Sequence, residues 1–212
     1  MRRLVKQKEL GFLIAAIIVL NLPLLFGQSN REWIFLADRV CQGQWHRLLT
    51  APFVHVGLYH LALDGLAFVM LYSSLPCTSA GKRLLSLAGI HTAVMLAVIL
   101  FNDSAELGYC GLSGIAHGLM TLWCLEMMQN PQRSIRHAGG IGLSVTAAKC
   151  AMEAVTGQVV LSSWHLGDVG IPVVSSHWGG ILGAIAVFAV MNAAGRFESV
   201  SSFSVQHQKM GV

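Results

Sequence analysis

GLSGIAHG is the sequence of residues 111–118, and it lies where a short polar segment passes into a long apolar run. The polar segment covers residues 102–108, and the apolar run is predicted to be a helix from Ser113 to Met128. A serine at a helix start lies beside free backbone N–H groups, which point at whatever its oxygen attacks. Glycine and serine also let membrane helices pack closely, so this motif alone does not separate catalysis from packing.

The composition is that of a membrane protein. The chain has 212 residues, of which 54% are hydrophobic and only 11% are charged, whereas soluble domains carry about 25% charged residues. Its apolar runs are longer than the alternating ~10-residue segments of an outer-membrane barrel. The net charge of +4 does not indicate nucleic acid, because the basic residues lie beside apolar segments. We therefore predict an all-α integral membrane protein whose surroundings are the lipid bilayer.

Six apolar runs predict six transmembrane helices, at residues 11–26, 58–75, 84–101, 113–128, 139–155 and 177–194. No small-residue cleavage site follows the first run, so it is expected to be retained as a helix and not removed as a signal peptide. Residues 28–57 are rich in aromatic side chains, which predicts a loop in the membrane interface. Residues 1–194 would form one membrane domain, and residues 195–212 a polar cytoplasmic tail.

The distribution of basic residues predicts the orientation. With a cytoplasmic N-terminus and alternating helices, ten basic residues fall in cytoplasmic segments: Arg2, Arg3, Lys6, Lys8, Lys82, Arg83, Arg133, Arg136, Arg196 and Lys209. Three fall in outer segments: Arg31, Arg39 and Arg47. This excess satisfies the positive-inside rule. We predict a multi-pass inner-membrane protein with both termini in the cytoplasm.

This orientation brings three residues of catalytic type to one level. The second, fourth and sixth predicted helices run from outside to inside, and His60, Ser113 and His177 lie at their outer ends. A serine hydroxyl needs a base to take its proton, and histidine is the usual base near neutral pH. Taken singly, His60 and His177 could equally be interfacial histidines with a structural hydrogen bond. Their common depth favours a Ser–His site.

Other polar residues in the predicted helices have simpler interpretations. His117 lies one turn after Ser113 on the same face and is interpreted as structural, or as a partner of His177. Lys149 and Glu153 are four residues apart and are expected to pair with each other, as a structural pair or as part of a substrate gate. Glu126, near the cytoplasmic end of its helix, is expected to be solvated.

Alternative chemistries find little support in the chain. The sequence has no H-E-x-x-H motif, so no zinc site of that type is predicted. It has no pair of aspartates at matched depth in two predicted helices. The five cysteines form no C-x-x-C pair, and a disulfide between Cys41 and Cys110 stays open. No metal and no cofactor are predicted.

Together these motifs resemble the rhomboid intramembrane serine proteases, over the six-helix core that makes up most of the chain. The features that carry the resemblance are Trp45, Arg47, His55, His60, Gly111, Ser113, Gly114, His177 and Gly180. The stretch at residues 111–118, the compact length and residues 47–50 further resemble the rhombosortase branch. The resemblance implies a rhomboid-like bundle of six transmembrane helices.

The resemblance also implies roles for individual residues. Ser113 would be the nucleophile and His177 the general base. The backbone N–H of Ser113 and the side chain of His60 would hold the oxyanion, with Gly111 supporting the site as part of its motif.

Three positions depart from the family pattern. Asp64 stands where the family has asparagine, one turn after the oxyanion histidine, and this departure leaves the oxyanion site open. His117 stands where the family often has a tyrosine packed against the base. Gly183-Ala184 displaces the trailing glycine of the last helix.

The predicted function is therefore an intramembrane serine endopeptidase that cleaves transmembrane protein substrates near the outer membrane face. If the rhombosortase resemblance holds, these substrates are exported proteins with a C-terminal anchor that has a glycine-rich motif, an apolar helix and a basic end. The main alternative is a non-catalytic rhomboid-like protein that binds transmembrane helices for quality control. A small transporter is a weaker alternative, because no pair of broken helices is predicted.

Overall fold

Prolines and apolar stretches set the limits of the helices. A computed structural model describes residues 8–75, 79–101, 108–160 and 162–193. Four prolines in these ranges, Pro23, Pro52, Pro131 and Pro172, fall outside the α-helices, since proline lacks the N–H that a helix interior needs. The described residues form eight α-helices: α1 Lys8–Leu20, α2 Ala37–Cys41, α3 His46–Thr50, α4 Leu58–Ser73, α5 Ala80–Phe101, α6 Ser113–Met128, α7 Arg133–Thr156 and α8 Val174–Ala193. The prediction of an all-α fold is confirmed.

Several helix limits differ from those predicted. The first helix ends at Leu20 and continues as a 3-10 turn, Leu22–Phe26, because Pro23 cannot extend the α-helical hydrogen bonds. The helices α5, α7 and α8 each begin earlier than predicted, so His177 lies inside the first turn of α8 and does not open the helix. The tail predicted at residues 195–212 lies outside the described residues.

Three helical segments in the described part of the chain are long and apolar enough to cross a membrane: Lys8–Phe26, Ala80–Phe101 and Val174–Ala193. A fourth span results if His46–Phe53 and Leu58–Ser73, which meet at 91°, count as one broken span. Large apolar side chains such as Phe12, Leu100 and Leu182 are exposed on these helices, as expected where a protein faces lipid. The chain is a multi-pass membrane protein; six spans and two cytoplasmic termini stay predictions.

Glycines place α8 between α5 and α6. A Cβ atom on Gly180 would overlap the carbonyl oxygen of Gly114, and one on Gly118 would lie 2.8 Å from the carbonyl oxygen of Gly180. On the other side of α8, Gly179 and Gly183 face α5, where added Cβ atoms would overlap alanine side chains. Small residues let helix backbones approach this closely. The two faces of α8 therefore fix its position on both neighbours.

Charged side chains are buried inside the bundle at Arg83 and at Glu126. Arg83 of α5 is buried and forms an ion pair with Glu9 of α1, which ties these two helices together. Glu126 of α6 is only 4% exposed, so the expectation that it is solvated is wrong. The helix α7 packs on α6 near Glu126, and Gly139 of α7 lies there against the backbone of Cys124.

The long segment before α4 is held by one buried arginine. Arg47 of α3 donates to the carbonyl oxygens of Arg31 at 2.9 Å and Ile34 at 2.7 Å, and to the side chain of Gln44 at 2.7 Å. These bonds fold residues 28–57 back on themselves. Trp45, beside Arg47, is 64% exposed, which suits an aromatic residue at a membrane interface.

Candidate active site

The start of α6 is fixed by backbone bonds to the preceding loop. Tyr109 and Phe35 exchange backbone hydrogen bonds of 2.9 and 3.0 Å, and the Gly111 N–H donates to the carbonyl oxygen of Ala51 at 3.2 Å. The Tyr109 hydroxyl donates to the carbonyl oxygen of Gly111 at 3.1 Å. These four bonds hold the backbone just before Ser113, so they fix the position of the serine at the start of α6.

Position 111 requires a glycine, both for its backbone conformation and for the closeness of its neighbours. Its φ of +103° lies in the region that favours glycine. A Cβ atom there would lie 2.9 Å from Cε1 of His60 and 3.1 Å from Oδ2 of Asp64. The His60 ring and the Asp64 carboxylate therefore lie directly against the chain two residues before Ser113.

Ser113 and His177 meet across the contact of α6 with α8. The Ser113 Oγ lies 3.1 Å from the His177 Nε2, within the range that a Ser–His pair needs. Gly114 allows this approach, because a Cβ atom on it would lie 2.8 Å from the carbonyl oxygen of Ser176. His177 is only 4% exposed. The helices thus bring together the two residues that the sequence placed at one depth.

The other ring nitrogen of His177 contacts a carboxylate that the sequence analysis did not assign to the site. The His177 Nδ1 lies 2.9 Å from Oε2 of Glu153, whose side chain is fully buried. Lys149 donates to Oε1 of Glu153 at 2.7 Å, which is the pair expected from their spacing. The i, i+4 spacing indicated the lysine partner; no local signal indicated the histidine, 24 residues away.

His117 completes this group. Its ring stacks on His177 with centroids 4.1 Å apart and planes 19° apart. Its Nδ1 lies 2.7 Å from the carbonyl oxygen of Ser113, and its Nε2 lies 3.2 Å from Lys149 Nζ. We call the five residues of this network the base cluster: Ser113, His117, Lys149, Glu153 and His177.

A second group lies beside Gly111. Oδ2 of Asp64 lies 3.2 Å from His60 Nε2 and 3.7 Å from His55 Nε2. Both distances are short enough for an ion pair. Among the described residues, however, Oδ2 of Asp64 has no partner in hydrogen-bond geometry. The rings of His55 and His60 meet edge to face, 5.0 Å apart. We call His55, His60 and Asp64 the carboxylate cluster.

The protonation of His55 follows from its neighbour Asn21, which lies between α1 and the 3-10 turn Leu22–Phe26. Asn21 donates through its Nδ2 to the carbonyl oxygens of Ile17 and Phe53, both at 2.7 Å. Its Oδ1 is therefore an acceptor, and His55 Nδ1, 3.2 Å away, donates to it. A neutral His55 then carries a lone pair on the nitrogen that faces Asp64. No local pattern in the sequence indicated this contact, which joins residues 34 positions apart.

Cys110 lies in the same region but is a poor nucleophile. Burial raises the pKa of Cys110 to about 12, and the Asp64 carboxylate acts in the same direction. The thiol is thus protonated at neutral pH, whereas a reactive cysteine needs its thiolate. Cys110 and Cys41 are both free thiols in the structure.

Four residues, three of them members of the base cluster, have the ligand types that bind metals. Donor atoms of His117, Cys150, Glu153 and His177 lie within 4.8 Å of one another. The two imidazole rings are stacked, so their in-plane lone pairs do not converge on one point. The Lys149 ammonium also lies between His117 and Glu153. This geometry fits an ion pair better than a metal.

Comparisons with known proteins agree with this architecture. The family model described as Rhomboid domain matches residues 42–197. RHOMBOID-like protein 9, chloroplastic, from Arabidopsis thaliana is 29% identical over 114 residues, which are 54% of this chain and 24% of that protein. The match thus spans about a quarter of the relative's length. No solved structure matches the chain significantly. Because the family model covers well over half of the sequence, the chain belongs to the rhomboid family.

Proposed function

We propose that the protein is an intramembrane serine endopeptidase in which Ser113 is the nucleophile and His177 the general base. The observation that carries this proposal is the 3.1 Å separation of Ser113 Oγ and His177 Nε2. Membership of the rhomboid family agrees with it.

In the proposed reaction, Ser113 Oγ attacks the carbonyl carbon of a peptide bond while His177 Nε2 takes the hydroxyl proton. The tetrahedral intermediate collapses when the imidazolium gives this proton to the leaving amine, and an acyl-enzyme remains. A water molecule, deprotonated by the same histidine, then hydrolyses the ester and restores the serine.

The oxyanion would be held on the side of the carboxylate cluster. Ser113 is the first residue of α6, so its backbone N–H has no helical partner to bond. His60 supplies a second donor, and Gly111 keeps the chain close to it. Donors fixed at the position of a developing charge lower the barrier, because they need no reorganisation during the reaction.

The proposed topology has six spans in the inner membrane, with both termini in the cytoplasm. The excess of basic residues in the predicted cytoplasmic segments supports it. The reaction then occurs near the outer face. Residues 1–194 form the membrane domain and residues 195–212 the tail.

The proposed substrates are transmembrane anchors with glycines next to the apolar helix, as in the rhombosortase branch. Glycine destabilises a helix by about 1 kcal/mol relative to alanine, so it exposes the peptide bond to Ser113. An anchor with such glycines should be cut, and its Gly→Leu counterpart should resist. Equal cleavage of both would remove the rhombosortase assignment and leave the protease assignment intact.

A fluorophosphonate probe tests the enzyme directly, because it reacts with an activated serine and needs no known substrate. The full-length protein in detergent should be labelled, and Ser113→Ala should not. A wild-type protein that stays unlabelled while it remains folded would contradict the proposal.

The alternative function is a non-catalytic rhomboid-like protein that binds transmembrane helices for quality control. Such a protein needs no hydrogen bond between Ser113 and His177, so it gives no reason for that geometry. It predicts that Ser113→Ala binds a transmembrane partner and performs its role as well as the wild type does.

A further inference from the structure

We infer that Glu153 is a positioning residue for His177, so that the site is a Ser–His–Glu triad with Lys149 as the counter-charge of its carboxylate. This inference rests on the proposed protease function. It is carried by the 2.9 Å contact between His177 Nδ1 and Glu153 Oε2, on the ring edge opposite Ser113.

The contacts assign a position to each proton in the base cluster. Lys149 is only a donor, so both groups that it contacts accept: Oε1 of Glu153 and Nε2 of His117. The ionised Glu153 accepts the Nδ1 proton of His177 through Oε2. His177 Nε2 therefore carries the lone pair that faces the Ser113 hydroxyl, which is the tautomer a general base needs.

The same logic holds for His117. Because its Nε2 accepts from Lys149, its proton is on Nδ1 and donates to the carbonyl oxygen of Ser113. The neutral ring stacks on His177 and covers one face of it. The network is thus a closed ring of contacts from Ser113 through His177, Glu153, Lys149 and His117 back to Ser113.

Helix stability does not explain this carboxylate. Glu153 lies in the last turn of α7, where the negative end of the helix dipole disfavours an anion. Its side chain is fully buried, so removal from water is a further cost. Lys149 offsets part of these costs, but a solvated pair one turn away would avoid them. The position makes sense if the carboxylate serves His177.

Glu153→Gln is the sharpest test, because it keeps the shape and removes the charge. The amide oxygen can accept from Lys149 only if its NH₂ group faces His177 Nδ1. That orientation stabilises the wrong tautomer, with a proton on Nε2 towards Ser113. We expect the rate of fluorophosphonate labelling to fall on the order of 10²–10⁴-fold. The matched control is Glu126→Gln, a buried carboxylate on α6 about 20 Å along the helix from Ser113, which should label like the wild type.

The pH profile separates positioning from a loss of structure. The titratable groups that face His177 come from α6 and α7: Ser113, His117, Glu153, Lys149 and Cys150. On α5, His91 bonds the Leu48 carbonyl and Arg83 pairs with Glu9. Glu153 is thus the one carboxylate in direct contact with the imidazolium within the described residues. Without the Glu153 carboxylate the imidazolium is less stable, so the acid limb of the pH profile of labelling should move to lower pH. The expected shift is roughly 1–2 pH units, the size of a charge-assisted hydrogen bond.

A second variant guards against misfolding. Lys149→Met combined with Glu153→Gln leaves no unpaired charge in the base cluster, and it frees the amide oxygen to accept from His177. This double variant should label faster than Glu153→Gln and more slowly than the wild type. If Glu153→Gln does not fold, the double variant carries the test through the same shift of the acid limb.

The outcomes separate the two proposals. If the wild type is not labelled at Ser113, the protease function fails. If the wild type is labelled and Glu153→Gln matches it in rate and in pH profile, the inference is overturned while the protease function stands. A folded double variant with the wild-type rate and an unshifted acid limb overturns it equally.

Discussion

The base cluster and the carboxylate cluster flank the same serine, but they differ in how their polar atoms are satisfied. In the base cluster, both ring nitrogens of His177 and of His117 have partners within 3.2 Å. In the carboxylate cluster, His60 Nδ1, His55 Nε2 and Asp64 Oδ2 are buried without a hydrogen-bond partner among the described residues. One half of the site is complete before a substrate arrives, and the other is not.

This difference fits the two tasks proposed for the clusters. A general base must hold one tautomer before the reaction, so a complete network suits it. An oxyanion site meets its charge only during the reaction, so a donor that stays free until then is useful there, and the His60 ring nitrogen without a partner among the described residues is the candidate for it. Unsatisfied buried groups cost free energy, which is consistent with strain kept at a functional site. Substitutions in either cluster test this difference.

Removing either end of the Ser–His pair should have the largest effect. Ser113→Ala and His177→Ala should each abolish cleavage of a transmembrane substrate, by up to roughly 10⁶-fold, and the double variant should be no worse than either single one. Each change removes one side chain and leaves the helix backbones in place, so the proteins should still fold. Retained cleavage by Ser113→Ala would contradict the protease function.

Gly118→Val should act on the base cluster through geometry. Its side chain would collide with Ile90 and with the Gly180 backbone, which pushes α8 away from α6. A shift of ~1 Å can cost on the order of 10²-fold in rate, and labelling should fall by at least that much. Gly140→Val is the control, because nothing lies within 4 Å of an added Cβ atom there. Equal labelling of both variants would show that this contact does not set the Ser–His distance.

Asp64→Asn tests the carboxylate cluster. If the ionised Asp64 holds His60 as an imidazolium that donates to the oxyanion, the amide removes that charge and the rate should fall by about 10–10³-fold. If Asp64 is instead protonated and donates itself, the amide still donates, and activity should survive with a weaker decline towards high pH. The measurement is cleavage or labelling between pH 6 and 9.

The Asp64 experiment also has a clear negative outcome. If Asp64→Asn and Asp64→Ala both match the wild type over that whole range, Asp64 has no part in holding the oxyanion. The 3.2 Å contact with His60 would then be structural, and the contrast between the two clusters would lose its functional meaning.

His117→Phe should have the smallest effect. It keeps an aromatic ring to stack on His177 but loses the bonds to Ser113 and Lys149. The stacking contribution of an aromatic pair, about 0.5–1.5 kcal/mol, is kept in His117→Phe and lost in His117→Ala. We therefore expect less than a tenfold decrease in labelling for His117→Phe and a larger one for His117→Ala. If both variants lose as much as Glu153→Gln, His117 is a full member of the triad network and not a supporting ring.

The sequence by itself determined the helical membrane fold and the rhomboid family, and it predicted that Ser113 and His177 would meet. Those features depend on local patterns: apolar runs, glycines spaced to face a neighbouring helix, and a serine at a helix start. The predicted limits of the helices were less accurate: α1 ends before Pro23, where Asn21 bonds the carbonyl oxygen of Phe53, and α8 begins at Val174, three residues before the predicted start.

Only the tertiary structure decided which partners the buried charges have. Spacing along α7 paired Glu153 with Lys149 correctly, but a carboxylate has two oxygens, and the second contacts a histidine that α8 brings from another part of the chain. In the same way, the fold brings His55 into contact with Asp64, and the packing of the bundle buries Glu126. Such contacts join different segments of the chain, so they follow from how those segments pack and leave no periodic signal in the sequence.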